Sequence, residues 1–236
     1  MIAALQETKT EETPAQVIEP IQMQKGKLAL LIAPYYDMAT SITSIAERTL
    51  IELLQSEGMT VLTLEGPEAT YDNLVQVLKP GYIELVVYLG HGLDDAWIGQ
   101  QPSPRPLLTA DEAGLLSGSI VVAIACNSLK YLGNLAVTKK AKAYLGFLDL
   151  VLCPVTDLSM ADRNYAADFV RTFIHPVVAL IQGRSVSQAV LEFQDLCYYY
   201  ADLYATKRYD FWEFHSFAMM HNAENFSYAG HPDTVL

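Results

Sequence analysis

Five short stretches of this chain are dominated by aliphatic residues, and each stops at polar or turn-forming groups. Lys27 to Ala33 stops at Pro34-Tyr35-Tyr36-Asp37, Met59 to Leu64 at Glu65-Gly66-Pro67, and Ile83 to Leu89 at Gly90-His91-Gly92. Ile120 to Ile124 runs into Ala125-Cys126-Asn127-Ser128, and Ala141 to Phe147 is the fifth. Runs with so little polar alternation predict strands covered on both faces, as in parallel sheets. Between them the period lengthens. Thr40 to Glu57 carries Ile42, Ile45, Leu50, Leu53 and Leu54 at helical steps, with Gly58 as a stop. Ala69 to Leu78 reads as a shorter helix ended by Pro80-Gly81.

The stretch from Gly92 to Pro106, rich in Pro, Gly and Gln, predicts a surface loop or small hairpin beside the third strand end. Thr109-Ala110-Asp111-Glu112 has the spacing of a capping box and marks a helix start. Beyond Leu158 the alternation ceases. Asp162 to Ile181 and Ser185 to Ala205 read as long helices parted by Gly183, the second burying Val186, Ala189, Val190, Phe193 and Leu196. The aromatic stretch from Phe211 to Tyr228 returns to the core, with a last strand expected near Asn225 to Tyr228. The expected fold is α/β: a mostly parallel sheet flanked by helices on both faces, three layers in all. Residues 1–25, acidic and punctuated by Pro14 and Pro20, are expected to be a flexible segment, and 26–236 a single domain.

Composition narrows the classes of function. A 51% hydrophobic and 18% charged chain is globular, and no apolar run reaches the roughly 18 residues of a membrane span. Met1 to Glu19 lacks the basic and apolar regions of a signal peptide, which leaves a cytoplasmic location as the expectation. The formal net charge of −12 argues against nucleic acid or an anionic membrane as partner. It suits a basic peptide but does not by itself select one. Cys126, Cys153 and Cys197 are an odd count without C-x-x-C or C…H spacing, so neither a disulfide framework nor a zinc site is expected. No metal and no cofactor are called for.

Cys153, within Leu150-Val151-Leu152-Cys153-Pro154, and Cys197, in a helical apolar stripe, read as small buried hydrophobes. Cys126 differs because it ends a strand. In open α/β sheets ligands bind at the carboxyl edge, and His91 ends another strand of the same kind. A thiol with an imidazole beside it can act as nucleophile and proton-transfer partner. If Asn127 opens a helix through Leu129 to Leu132, the positive end of that helix favours the thiolate. The alternative is a core cysteine and an unrelated loop histidine. No P-loop, G-x-G-x-x-G or G-x-S-x-G string supports a nucleotide or serine-hydrolase reading.

An apolar strand ending in His91-Gly92, followed 35 positions later by one ending in Ala125-Cys126, resembles the caspase-like (clan CD) cysteine peptidases. That group includes caspases, metacaspases, gingipains, separase and the bacterial CHAT domains. Ile124 and Asn127-Ser128 depart from the caspase string Q-A-C-[RQG]-G, and the interval is closer to gingipain-like or CHAT-like members. Ala141 to Phe147 and Gly183-Arg184-Ser185-Val186-Ser187-Gln188-Ala189 are similar to segments that follow the cysteine in the bacterial families. The resemblance spans Lys27 to Ala205. It implies Cys126 as nucleophile, His91 as general acid/base, and the amides of Gly92 and Cys126 as the oxyanion hole. It also implies a regulated effector acting on a protein substrate, with an activating protein partner. In such families a residue closing the first strand lines the S1 pocket, which here points to Asp37, with Asp157 as a second rim carboxylate and a basic P1 side chain as the consequence. Asp37 has a plainer alternative as the cap of the helix at Thr40. Asp94-Asp95 would suit a cation, though adjacent loop acids are normally solvated. The rival readings of the whole chain are an inert caspase-like interaction module and a Cys-dependent amidase of small molecules.

Overall fold

A computed structural model of the chain describes residues 27–154 and 165–236. Its sheet contains β1 (Leu28–Ala33), β2 (Thr60–Glu65), β3 (Leu85–Leu89), β6 (Ile120–Ile124), β7 (Ala143–Phe147) and β8 (Phe226–Gly230), in the order β2-β1-β3-β6-β7-β8. All neighbours run parallel except β8, which pairs antiparallel to β7 at the edge. A separate antiparallel pair, β4 (Ala96–Trp97) with β5 (Leu108–Thr109), starts within the Gly92 to Pro106 stretch expected to be a loop or small hairpin and closes just beyond it.

Alternate strand residues feed two cores. Leu31, Leu85, Val87, Val122 and Leu145 point to one face, where they meet α1 (Met38–Ser56), α4 (Tyr165–Ile181), α5 (Val186–Lys207) and α6 (Trp212–Asn225). Leu30, Ile32, Val86, Tyr88, Val121 and Tyr144 point to the other. There they pack on α2 (Tyr71–Leu78), on a 3-10 helix over Ala110–Leu116, and on α3 (Asn134–Thr138). Both faces are therefore dry, which is why the strands read as unbroken apolar runs. Each fully buried aliphatic side chain contributes about 1.5–3 kcal/mol. The architecture is the three-layer, caspase-like α/β/α sandwich.

Local signals operate where they were read. Asp37 caps α1 in a capping box with Thr40, and Gly58 ends that helix region at φ 78°. Thr109 and Glu112 form the expected box, opening a 3-10 rather than an α-helix. One expectation needs correction. Asn127 stands at φ 56°, in the left-handed region Asn tolerates, so it does not open a helix behind Cys126. The chain instead turns sharply and winds as a π-helical turn over Leu129–Gly133 before α3. The aromatic stretch near the C-terminus is largely α6, which the hydrophobic pattern did not announce. Its apolar residues lie all round, with Ala218, Met219 and Ala223 buried and Phe214, Phe217 and Met220 exposed. A helix without an apolar stripe has no period to detect. Asp157, and the start of the helix expected from Asp162, lie outside the described residues. Among those described, no helix is long and apolar enough to cross a membrane.

Candidate active site

The chain leaves β1 for β2 on one side and later leaves β3 for β6 on the other, so the connections diverge between β1 and β3. At such a switch point the carboxyl ends of the strands open a crevice. Parallel register then sets the positions. Leu89 pairs with Ile124, and the Gly90 amide donates to the Ile124 carbonyl at 3.2 Å, so His91 and Cys126 each stand two residues beyond a matched pair. Both line one open cleft, together with Thr40, Thr43, Val151 and Cys153.

Gly92 makes the close approach on the histidine side. A Cβ there would lie 2.5 Å from the Cys126 carbonyl oxygen and 2.9 Å from the Ala125 Cβ, so only glycine fits. Among the described residues neither the Gly92 nor the Cys126 amide has a hydrogen-bond acceptor. Two unpaired N–H groups beside a thiol are the elements an oxyanion hole requires.

His91 is held from below and from the side. The Tyr88 hydroxyl lies 2.6 Å from the His91 carbonyl and accepts from the Ile98 amide at 3.1 Å. Its ring stacks on Trp97 at 4.6 Å, and the Trp97 indole donates to the Tyr144 hydroxyl at 2.9 Å. At the side, His91 Nε2 meets Asp37 Oδ2 at 2.7 Å, while Asp37 Oδ1 accepts from the Thr40 amide at 2.9 Å and hydroxyl at 2.8 Å. Partial burial works to raise the Asp37 carboxyl, but the bonds from Thr40 and His91 outweigh it and leave its pKa lowered. The carboxylate is therefore ionised beside an imidazole whose Nδ1 remains for other chemistry. Asp37, expected either on the wall of an S1 pocket or as a helix cap, thus has both oxygens engaged, one on the cap and one on His91.

Cys126 is fastened to the segment after β7. The Asn127 amide donates to the Asp149 carbonyl at 3.0 Å, and the Val151 amide to the Cys126 sulfur at 3.3 Å. Buried Ser128 reaches across, its hydroxyl accepting from the Phe147 amide at 3.3 Å. Residues 148–153 are themselves tied to α6 by Asn222, whose carboxamide accepts from the Leu152 amide at 3.0 Å and donates to the Leu152 carbonyl at 2.8 Å. Sequence reasoning missed Asn222. It is a fully buried amide in an aromatic helix and needs polar partners, but only the fold shows that burial.

The other candidates stay apart from this crevice. Asp94 lies 3.9 Å from the Lys130 ammonium and uses its carbonyl for the Leu132 amide. Among the described residues no group of three or more His, Cys, Asp or Glu side chains could hold a metal ion. Cys197 is fully buried in α5.

No protein-family model matches the chain, and no curated protein matches it by sequence. Its fold is similar to that in the crystal structure of gingipain R, an Arg specific cysteine proteinase. The TM-score is 0.61 at 15% identity, over 89% of this chain and 47% of that one. The chain therefore spans about half the length of that structure.

Proposed function

We propose that the chain is a caspase-like cysteine endopeptidase of the gingipain- or CHAT-like branch, with Cys126 as nucleophile and His91 as general acid/base. The observation that carries this reading is the shared cleft of two residues brought level by the register of β3 and β6. The Cys126 sulfur attacks the scissile carbonyl, and the amides of Gly92 and Cys126 receive the oxyanion. His91 passes a proton to the leaving amine as the acyl-enzyme forms, then takes one from the water that resolves it. Asp37 is given the task of orienting His91: a carboxylate accepting Nε2–H selects the tautomer whose Nδ1 can work on the thiol or the amine. A protein substrate, a regulated role and an activating partner belong to the same proposal.

A basic P1 side chain is its specificity component. Gingipain R is Arg specific, and here a carboxylate closes β1 at the rim of the crevice. Because His91 and Thr40 already occupy that carboxylate, a P1 guanidinium recognised there would share it with His91.

The test pairs a thiol-reactive probe with a peptide library varied at P1. Cys126 should label faster than Cys153 and Cys197, more slowly in His91→Ala, and cleavage after Arg or Lys should vanish in Cys126→Ala. Labelling of Cys126 no faster than that of the other two would leave an inert interaction module. Fast labelling without turnover of any peptide would favour an amidase of small molecules.

A further inference from the structure

The cleft holds a second thiol for which the proposed chemistry has no use. Cys153 lines the same crevice as Cys126 and His91, and it belongs to the segment that the Val151 amide fastens to the Cys126 sulfur. Asn222 bonds both the amide and the carbonyl of Leu152, which holds the residue before Cys153 against α6. Cys153 is only partly buried, whereas Cys197 is sealed within the core. Burial, then the neighbouring Cys126, push the Cys153 thiol up to about 11. The two sulfurs therefore sense one another, and Cys153 stays protonated at neutral pH.

We infer that Cys153 is a resolving thiol for oxidised Cys126, and that a Cys126–Cys153 disulfide is a reversible modification of this cleft. The oxidant is a peroxide. The Cys126 thiolate attacks one peroxide oxygen; the O–O bond breaks, hydroxide leaves, and Cys126 becomes a sulfenic acid. Its negative charge is then gone. The Cys153 sulfur attacks the Cys126 sulfur, an S–S bond forms as the S–O bond breaks, and the departing hydroxide carries away the Cys153 proton as water. Both sulfurs lose an electron, and the peroxide is reduced to water. A bridged Cys126 cannot act as nucleophile, yet it is protected from the sulfinic acid that no simple thiol reverses. The consequence for activity rests on the peptidase reading; the bridge itself does not.

Equimolar hydrogen peroxide on the reduced full chain tests this, read by intact mass, free-thiol content and peptide mapping. The expected outcome is a mass lower by two hydrogens, loss of two of the three free thiols, and one cross-linked peptide pair joining positions 126 and 153, all undone by dithiothreitol. In Cys153→Ser the mass should rise instead by added oxygen, with Cys126 trapped by a sulfenic-acid reagent. Cys197→Ser should still form the bridge. Added oxygen on Cys126 in the wild-type chain, or a bridge to Cys197 or between two chains, would overturn the inference. None of these readouts needs turnover. A chain that cleaves peptides when reduced but forms no bridge under peroxide removes this inference alone, and a chain that forms the bridge but cleaves nothing when reduced removes the peptidase reading alone.

Discussion

Asp37 and His91, 54 positions apart, are joined at 2.7 Å between Oδ2 and Nε2. The same carboxylate caps α1 through Thr40. One side chain therefore fixes the start of a helix and the attitude of an imidazole, and the two tasks can be separated by substitution.

Asp37→Asn keeps a capping side chain but removes the charge facing His91. The variant should stay within about 1 kcal/mol of wild-type stability. Alkylation of Cys126 at neutral pH should slow roughly tenfold, equivalent to ~1.4 kcal/mol and within the scale of a hydrogen bond to a charged group. Asp37→Ala should show the same slowing plus a cap loss of about 1 kcal/mol. An alkylation pH profile of Asp37→Asn that overlays the wild type would reduce Asp37 to a cap.

Gly92→Ala tests the contact between the two strand ends. The added methyl meets the Cys126 carbonyl at 2.5 Å, backbone that cannot swing aside as a flexible side chain would. Overpacking of this kind costs about 1–3 kcal/mol. Denaturant unfolding should register that loss, and Cys126 labelling should fall further than stability alone accounts for. Unchanged labelling would separate Gly92 from the site.

Two buried groups make stability depend on pH in opposite directions. Glu47, at 6% exposure and beside Glu65, has its carboxyl pushed up to about 8, first by burial and then by the Glu65 charge. The native state holds that proton where the unfolded chain has lost it, so stability is full below the ordinary carboxyl value of 4.5 and declines as pH rises through about 8. His215 stacks on Tyr165 at 3.6 Å, and burial lowers its pKa to about 4. There the unfolded chain takes the proton first. Stability is full above the ordinary imidazole value of 6.5 and declines as pH falls through about 4. Urea midpoints should therefore fall from pH 6.5 to pH 9 in the wild type and stay level in Glu47→Gln. His215→Phe should lessen the loss between pH 6.5 and pH 4. A Glu47→Gln curve parallel to the wild type would assign the alkaline loss elsewhere.

Most of the fold was legible because it follows from local chemistry. Ile120 to Ile124 and Ile83 to Leu89 contain no polar residue except Glu84 and Tyr88, and such a run has few options besides a strand covered on both faces. Asp37, Thr109 and Ser185 announce helix starts through bonds that span three residues. What escaped was non-periodic. The apolar all-round α6 and the left-handed turn at Asn127 carry no repeating pattern, and each is held by partners distant in sequence. Asn222 holds Leu152 from 70 positions away.

Of the site, the sequence by itself determined the two strand ends, because a polar residue closing an apolar run must stand at a sheet edge. It could not determine the neighbourhood of those ends. Placing β3 between β1 and β6 is a matter of topology, and that order brings Asp37 to His91 at the switch point and Gly92 against Cys126. The second thiol beside Cys126 is a tertiary fact as well. In the sequence Cys153 is indistinguishable from a small buried hydrophobe, and only the Val151 bond and the shared cleft set it next to the first. Local patterns encode what each element is. Which side chains meet depends on strand order and on contacts spanning tens of residues, and those are decided when the two cores pack.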